Sequence, residues 1–245
     1  MIRWKILAAA ALLVATAAPA IADPVTGTMT GTYYKATNAD ADFGTQCCGT
    51  YSNMVTAQLG PNGLPVYNTS VSQPFVIHDL NASNEITWWS TSNPYVSYIG
   101  TNTISLPFSS GAMFLPFGQN PAGNDNNQYL IAKFTGNFTL TSPGNVSFSL
   151  GADDDAFFYV DGALVSQLGG VHPDSPAPFS TAVLASGPHQ IELFYADRYP
   201  TQAALNFSVT SDNLVVSSVP EPASLLLTSA ALAGLAAVRR RARAT

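Results

Sequence analysis

The sequence predicts an all-β protein, an antiparallel β-sandwich or barrel, and three observations carry that reading. Apolar residues recur at period 2, turn formers separate the alternating runs, and no apolar stripe of helical period and useful length lies between residues 23 and 218. Phe134, Phe138 and Leu140 share one parity, with Thr135, Asn137 and Thr139 on the other. Val146, Phe148 and Leu150 alternate with Ser147 and Ser149; Leu205, Phe207 and Val209 alternate with Asn206 and Ser208. Ile191, Leu193 and Tyr195 alternate with Glu192 and Phe194. Period 2 with one polar face marks half-buried antiparallel strands. Ser142-Pro143-Gly144-Asn145, Asp161-Gly162 and Ser186-Gly187-Pro188 supply the turns between them. Residues 38–50 and 118–127 are rich in Asn, Gly and Asp and read as long surface loops. No fixed-period repeat is present.

Charge divides the 245-residue chain into three parts. Only 10% of residues are charged, against a typical ~25%, and the net charge is -6. Of 9 cations, only Lys35, Lys133 and Arg198 lie between residues 23 and 218, against fourteen of the 15 acids, so this portion stands near -11. Nucleic acid is excluded as a partner, because binding to it rests on many Lys and Arg neutralising phosphates. The adjacent pair Cys47-Cys48 does not form an ordinary long-range bridge between neighbours; a vicinal ring and pairing to another chain both stay open. The domain therefore depends on its core, for which its length is ample.

The remaining cations sit at the ends. Arg3 and Lys5 precede an apolar run from Ile6 to about Ala18, and Ala20-Ile21-Ala22 has the A-x-A form of a cleavage site. Residues 1–22 are thus expected to be a Sec-type signal peptide. At the other end Val219-Pro220-Glu221-Pro222 precedes an uncharged run over 223–238, and Arg239, Arg240, Arg241 and Arg243 follow. A short apolar span before an Arg cluster implies a membrane helix with its Arg end in the cytoplasm. This order resembles the PEP-CTERM sorting signal of Gram-negative bacteria, with Pro220, Glu221 and Pro222 as its motif. The resemblance implies recognition by an exosortase-type enzyme and transient residence in the inner membrane. With 217–245 as the sorting signal, it further implies removal of a C-terminal tail and delivery to an exopolysaccharide-associated surface.

The densest chemical signal is Gly151-Ala152-Asp153-Asp154-Asp155-Ala156-Phe157-Phe158-Tyr159-Val160-Asp161-Gly162. Carboxylates this close repel one another unless something neutralises them, and this portion holds one guanidinium, Arg198. A hard cation is the natural remedy, and oxygen ligands in a polar loop favour Ca2+. In a regular strand Asp153 and Asp154 would point to opposite faces. Holding one ion with both requires a departure from strand geometry, for which a cis peptide suffices. Asp153 with Asp155 on one face is the rival arrangement, and a solvated acidic turn with Asp161 in a D-G hairpin is the simplest alternative.

The stretch from Ala152-Asp153-Asp154-Asp155 through Tyr159-Val160-Asp161-Gly162, Leu168-Gly169-Gly170-Val171-His172 and Phe194-Tyr195-Ala196-Asp197-Arg198 resembles the fibro-slime domain, a relative of PA14. Upstream, Asp42-Phe43 and Leu59-Gly60-Pro61-Asn62-Gly63-Leu64-Pro65-Val66-Tyr67 agree more loosely. The resemblance implies a PA14-like antiparallel β-sandwich, or jelly roll, over 23–216. Some PA14 lectins and adhesins hold Ca2+ with two adjacent Asp joined by a cis peptide, and the ion ligates sugar hydroxyls. Asp153 and Asp154 match that pair, with Asp155 and Asp161 as further candidate ligands.

His172 reads as a loop histidine fixing a turn, with a place beside the metal as the alternative; Arg198, beside Asp197, reads as a charge partner of the acidic cluster, bracing it. Trp88, beside Trp89 and near Tyr95 and Tyr98, is a candidate for stacking on sugar, weighed against core packing. No catalytic motif is present: there is no G-x-S-x-G, H-E-x-x-H, P-loop or dinucleotide fingerprint, and no second carboxylate pattern for a glycosidase. The expectation is an exported, non-enzymatic surface or biofilm-matrix protein that associates with exopolysaccharide through Ca2+. A matrix component without a specific ligand and a glycan-acting enzyme are the alternatives.

Overall fold

The computed structural model describes residues 27–44, 48–73, 76–110, 128–178, 180–200, 202–211 and 214–217. The expected signal peptide, the Pro220-Glu221-Pro222 motif, the apolar tail, the 118–127 loop and Cys47 lie outside the described residues. Among the described residues no helix is long and apolar enough to cross a membrane.

The fold is all-β. Its strands are β1 (Gly27–Ala36), β2 (Gly49–Thr50), β3 (Val55–Leu59), β4 (Pro65–Tyr67), β5 (Ser97–Leu106), β6 (Phe108–Ser109), β7 (Tyr129–Leu140) and β8 (Gly144–Asp153). There follow β9 (Asp155–Val160), β10 (Ala163–Leu168), β11 (Gly170–Val171), β12 (Ser175–Pro176), β13 (Ser180–Leu184), β14 (Gly187–Ala196), β15 (Ala204–Thr210) and β16 (Leu214–Ser217). One turn of 3-10 helix, Thr87–Trp89, is the single helical element among the described residues. A nine-stranded sheet runs β4-β3-β10-β9-β14-β7-β1-β5, with β16 also on β7. A five-stranded sheet runs β12-β8-β15-β6, with β13 also on β8. β11 and β2 form a small ribbon, and all these pairings are antiparallel.

The alternating residues face one another across the sandwich. Phe134, Phe138, Leu140, Leu193 and Tyr195 from the large sheet meet Val146, Phe148, Leu150, Leu205 and Phe207 from the small one in one core. Phe158 packs against both Phe148 and Phe207 with ring centres 4.8 Å apart. Asp161-Gly162 closes the β9–β10 hairpin with positive φ at both residues, 51° and 74°, as a two-residue turn of the twisted kind demands.

The outer face of the large sheet departs from the half-buried expectation. β9 is buried at all six positions, and β14 from Ile191 to Ala196. The cover comes from residues 36–96, which lay Phe43, Tyr51, Met54, Ile86, Trp88 and Trp89 over Ile131, Phe157, Tyr159 and Phe194 as a second core. The loop expected at the surface over 38–50 is part of this cover: Asp40, Asp42 and Phe43 are all 0% exposed. The reason is polar. The Asp42 carboxylate accepts the His78 and Asp79 amides at 2.9 and 3.0 Å and the Trp88 indole N–H at 3.0 Å, which tucks the loop inward.

Candidate functional site: an acidic corner between the two sheets

The three-Asp run is the place where the chain passes from one sheet to the other. Asp153 ends β8, opposite Ala204 of the small sheet, and Asp155 begins β9, opposite Ala196 of the large one. Asp154 is the corner residue, and the Asp153–Asp154 peptide is cis. Asp197 follows β14, its amide donating to the Leu130 carbonyl at 2.9 Å. Carboxylate oxygens of Asp153, Asp154 and Asp197 lie within 4.8 Å of one another, and the three residues are 3%, 1% and 0% exposed. The adjacent Asp153 and Asp154 both stand in this cluster, and Asp155 does not.

Donors fix the corner. Asp154 accepts the His172 amide at Oδ1 and the Arg198 amide at Oδ2, both at 2.8 Å. Asp155 accepts the Gly170 amide at 2.7 Å and faces the Arg198 guanidinium at 3.4 Å. The Tyr195 hydroxyl donates to the Asp153 carbonyl at 2.6 Å. Gly170 has φ +104°, and a Cβ there would run into the Gly49 carbonyl. That requirement gives the Gly-Gly-Val-His stretch its physical content: only glycine lets the chain pass this close to β2 and still reach Asp155.

Burial dominates the electrostatics. It pushes Asp153 up to about 8, with repulsion from Asp154 adding to it. It raises Asp154 against the opposing pull of the Arg198 and His172 amides. Asp155 rises to about 6, held from going higher by Arg198. Burial works against the Arg198 charge, and Asp155 and Asp42 more than offset it. Arg198 is 0% exposed; its Nε donates to the Asp42 carbonyl at 2.9 Å and its guanidinium lies 4.9 Å from the Trp88 ring centre.

An all-oxygen set of three carboxylates suits a hard cation such as Ca2+ rather than a metal that prefers sulfur or imidazole. Beside it opens a bowl of about 150 Å³ lined by Cys48, Asp153, Asp154, Val171, His172, Pro173, Tyr199 and Gln202. Drug-sized sites run to ~300–1,000 Å³. This bowl therefore meets the edge of a ligand and does not enclose one.

The other residues singled out from the sequence fall elsewhere. Asp155 stands behind the cluster as the partner of Arg198. Asp161 sits at its hairpin, 2.6 Å from His189 Nδ1 and accepting the Gln190 amide, apart from the three clustered carboxylates. His172 is 8% exposed, on the wall of the bowl, with Nδ1 2.9 Å from the Pro173 carbonyl. Trp88 is 0% exposed and braces Arg198, so it offers no face to a sugar; Tyr95 and Tyr98 are exposed. Cys48, Tyr199 and Gln202 had no signal in the sequence as lining groups. Cys48 is disulfide-bonded.

The model of the PA14 domain family matches residues 114–219, the stretch that contributes Asp153, Asp154, His172 and Asp197. Protein psiR of Dictyostelium discoideum is 25% identical over 190 residues, which is 66% of this chain and 19% of that protein. The chain thus spans about a fifth of the length of the curated relative it matches. Among solved structures, the PA14 sugar-binding domain from an RTX adhesin is 27% identical, over 37% of this chain and 51% of that one, with a TM-score of 0.31. The PA14 domain of the antifreeze protein MpAFP is 11% identical over 80% and 88% of the two chains, TM-score 0.36. The epithelial adhesin 9 A domain from Candida glabrata, solved with Galb1-4GlcNAc, is 11% identical over 78% and 86%, TM-score 0.38.

Proposed function

We propose that this chain is an exported bacterial surface or biofilm-matrix protein that associates with exopolysaccharide or another glycan without catalysis, through Ca2+ held at the corner. The carrying observation is the nest of Asp153, Asp154 and Asp197 carboxylates beside an open bowl. When bound, the ion would supply a Lewis acid with open positions for hydroxyl oxygens. The chain's own groups do the rest. The His172 and Arg198 amides orient Asp154, and Arg198 with Gly170 holds Asp155. Val171, Pro173 and Tyr199 wall the bowl. The Sec route, the exosortase-type enzyme, tail removal and the transient inner-membrane span belong to this proposal, and the end segments described above support them.

A glycan array probed with the full chain in Ca2+ and again in EDTA tests the binding. Binding confined to the Ca2+ arm supports the proposal. Binding indifferent to EDTA overturns the calcium role, and turnover of a bound polysaccharide overturns the non-enzymatic assignment. Intact-mass analysis of extracellular material tests the sorting; a species still carrying Arg243 overturns tail removal.

A further inference from the structure

Across Arg198 from the corner lies a second set of acids that the proposed function leaves unused. Carboxylate oxygens of Asp40, Asp42 and Asp79 lie within 4.8 Å of one another. Their states differ. Asp42 is saturated by the His78 amide, the Asp79 amide and the Trp88 indole, with His78 Nδ1 3.0 Å away. Asp40 accepts the Asp42 amide at Oδ1, at 2.9 Å. Its other oxygen and Oδ2 of Asp79 are buried, face each other and receive no N–H donor in line.

A group outside the acids points to the same spot. Asn93 is 4% exposed, and its Oδ1 accepts the Tyr95 amide at 2.9 Å, which fixes the carboxamide's orientation. Its Nδ2 acts on both Asp40 and Asp79 yet is aligned for a hydrogen bond with neither. Two buried carboxyl oxygens thus meet each other, and one buried donor lacks an aligned acceptor. Such groups are costly to leave so.

We propose that Asp40 and Asp79 form a second divalent-cation site, for Ca2+ or a similar hard cation, with Asp42 as its fixed frame and Asn93 as a positioning group. An ion between Asp40 and Asp79 would take one lone pair from each of the two facing oxygens and replace the contact between them. Asp79 is the partly buried member of the set, and a hard cation there would complete its usual six to eight oxygen ligands with water. A proton shared by the two carboxyls is the competing occupant.

Isothermal calorimetry on the full chain, stripped with EDTA and titrated with Ca2+ alone, tests this. The expected stoichiometry is two ions per chain, one in Asp79→Asn, one in Asp153→Asn and none in the double variant. In Asp79→Asn the new carboxamide can donate to Asp40, so the apo fold should persist. Should that variant fail to fold, hydrogen exchange in the Asp153→Asn background gives the second readout: Ca2+ must slow exchange over 38–44 and 78–80. One ion in the wild type that is lost in Asp153→Asn and kept in Asp79→Asn overturns this site and leaves the corner site standing. One ion with the reverse pattern supports this site and removes the other. No ion at all, or no slowing of exchange, overturns it and leaves the pair as proton-sharing only.

Discussion

The two acidic nests use the same parts and differ in what lies beside them. Each is braced by a further contact to Arg198, which touches the carboxylate of Asp155 behind the downstream nest and the carbonyl of Asp42 within the upstream one. The downstream nest borders a bowl with His172 and Tyr199 on its wall. The upstream nest lies beside Asn93 and Trp88 of the second core, with half-exposed His78 on Asp42 and Asp79 partly buried. Similar carboxylates therefore have different reach. An ion in the first could touch a large ligand, whereas an ion in the second could only tie loops together.

Arg198→Ala should break both nests at once and gives the largest expected effect. Removing one member of a buried ion pair costs about 3–5 kcal/mol. Urea unfolding should show that loss, and adding Asp155→Ala should return part of it, because the uncompensated buried carboxylate is then gone. An unchanged midpoint in Arg198→Ala would show that the guanidinium holds neither nest.

Calcium should separate the nests from the rest of the molecule. At a free concentration near 100 times Kd, each occupied site adds about 2.7 kcal/mol. Differential scanning should show a rise in Tm with Ca2+ that EDTA reverses and that shrinks in Asp153→Asn. Absence of any rise would remove the ion from both nests.

The pH profile sharpens the comparison further. Burial raises Asp153 to about 8 from an unfolded value near 3.8. A carboxyl raised in the folded state favours its neutral form, so its stabilising contribution is complete below about 3.8 and is lost as pH rises through about 8. In EDTA, Tm should therefore fall between pH 5 and pH 8, and Ca2+ should flatten that fall. A flat profile in EDTA would mean that the corner carboxylates are already neutralised by the protein.

The smallest effect belongs to the acid outside both nests. Asp161→Asn weakens the pairing with His189, whose pKa is lowered by burial but raised overall by Asp161 and the Ala185 carbonyl. Asp161 is half-exposed, so the change should stay within about 1 kcal/mol. The pair's contribution is complete below the unfolded His value near 6.5 and is lost as pH rises through the folded one. Chemical denaturation at pH 6 and pH 9 should find the difference only at pH 6, with Ca2+ stabilisation untouched at either.

The legible parts of this molecule are those where chemistry and chain order coincide. Phe148, Leu150, Leu193 and Phe207 announce their faces because a strand's neighbours in sequence set its parity. Asp153 and Asp154 announce a candidate cation site because adjacent carboxylates in a segment with three cations repel one another unless something neutralises them. Asp197 was visible only as the neighbour of Arg198, since its place in the cluster depends on β14 pairing with β9. The second core was not legible. Phe43, Tyr51 and Trp88 sit in irregular segments with no period, and they reach the sheet through capping carboxylates such as Asp42. The Asp40–Asp79 nest was hidden for the same reason, because loop closure alone brings these residues together.

β7 accepts β1 along one part of its length and β16 along another: Thr30 lies opposite Thr135, and Ser217 opposite Asn137. At the far end of the same strand the Leu130 carbonyl holds Asp197. From Asn137 to Leu130 is seven residues, about 23 Å of extended chain. In mechanical terms β7 is the tie rod of the molecule. A pull applied beyond Ser217 is carried along that one rod to the corner, with the four residues of β16 as the first joint to peel.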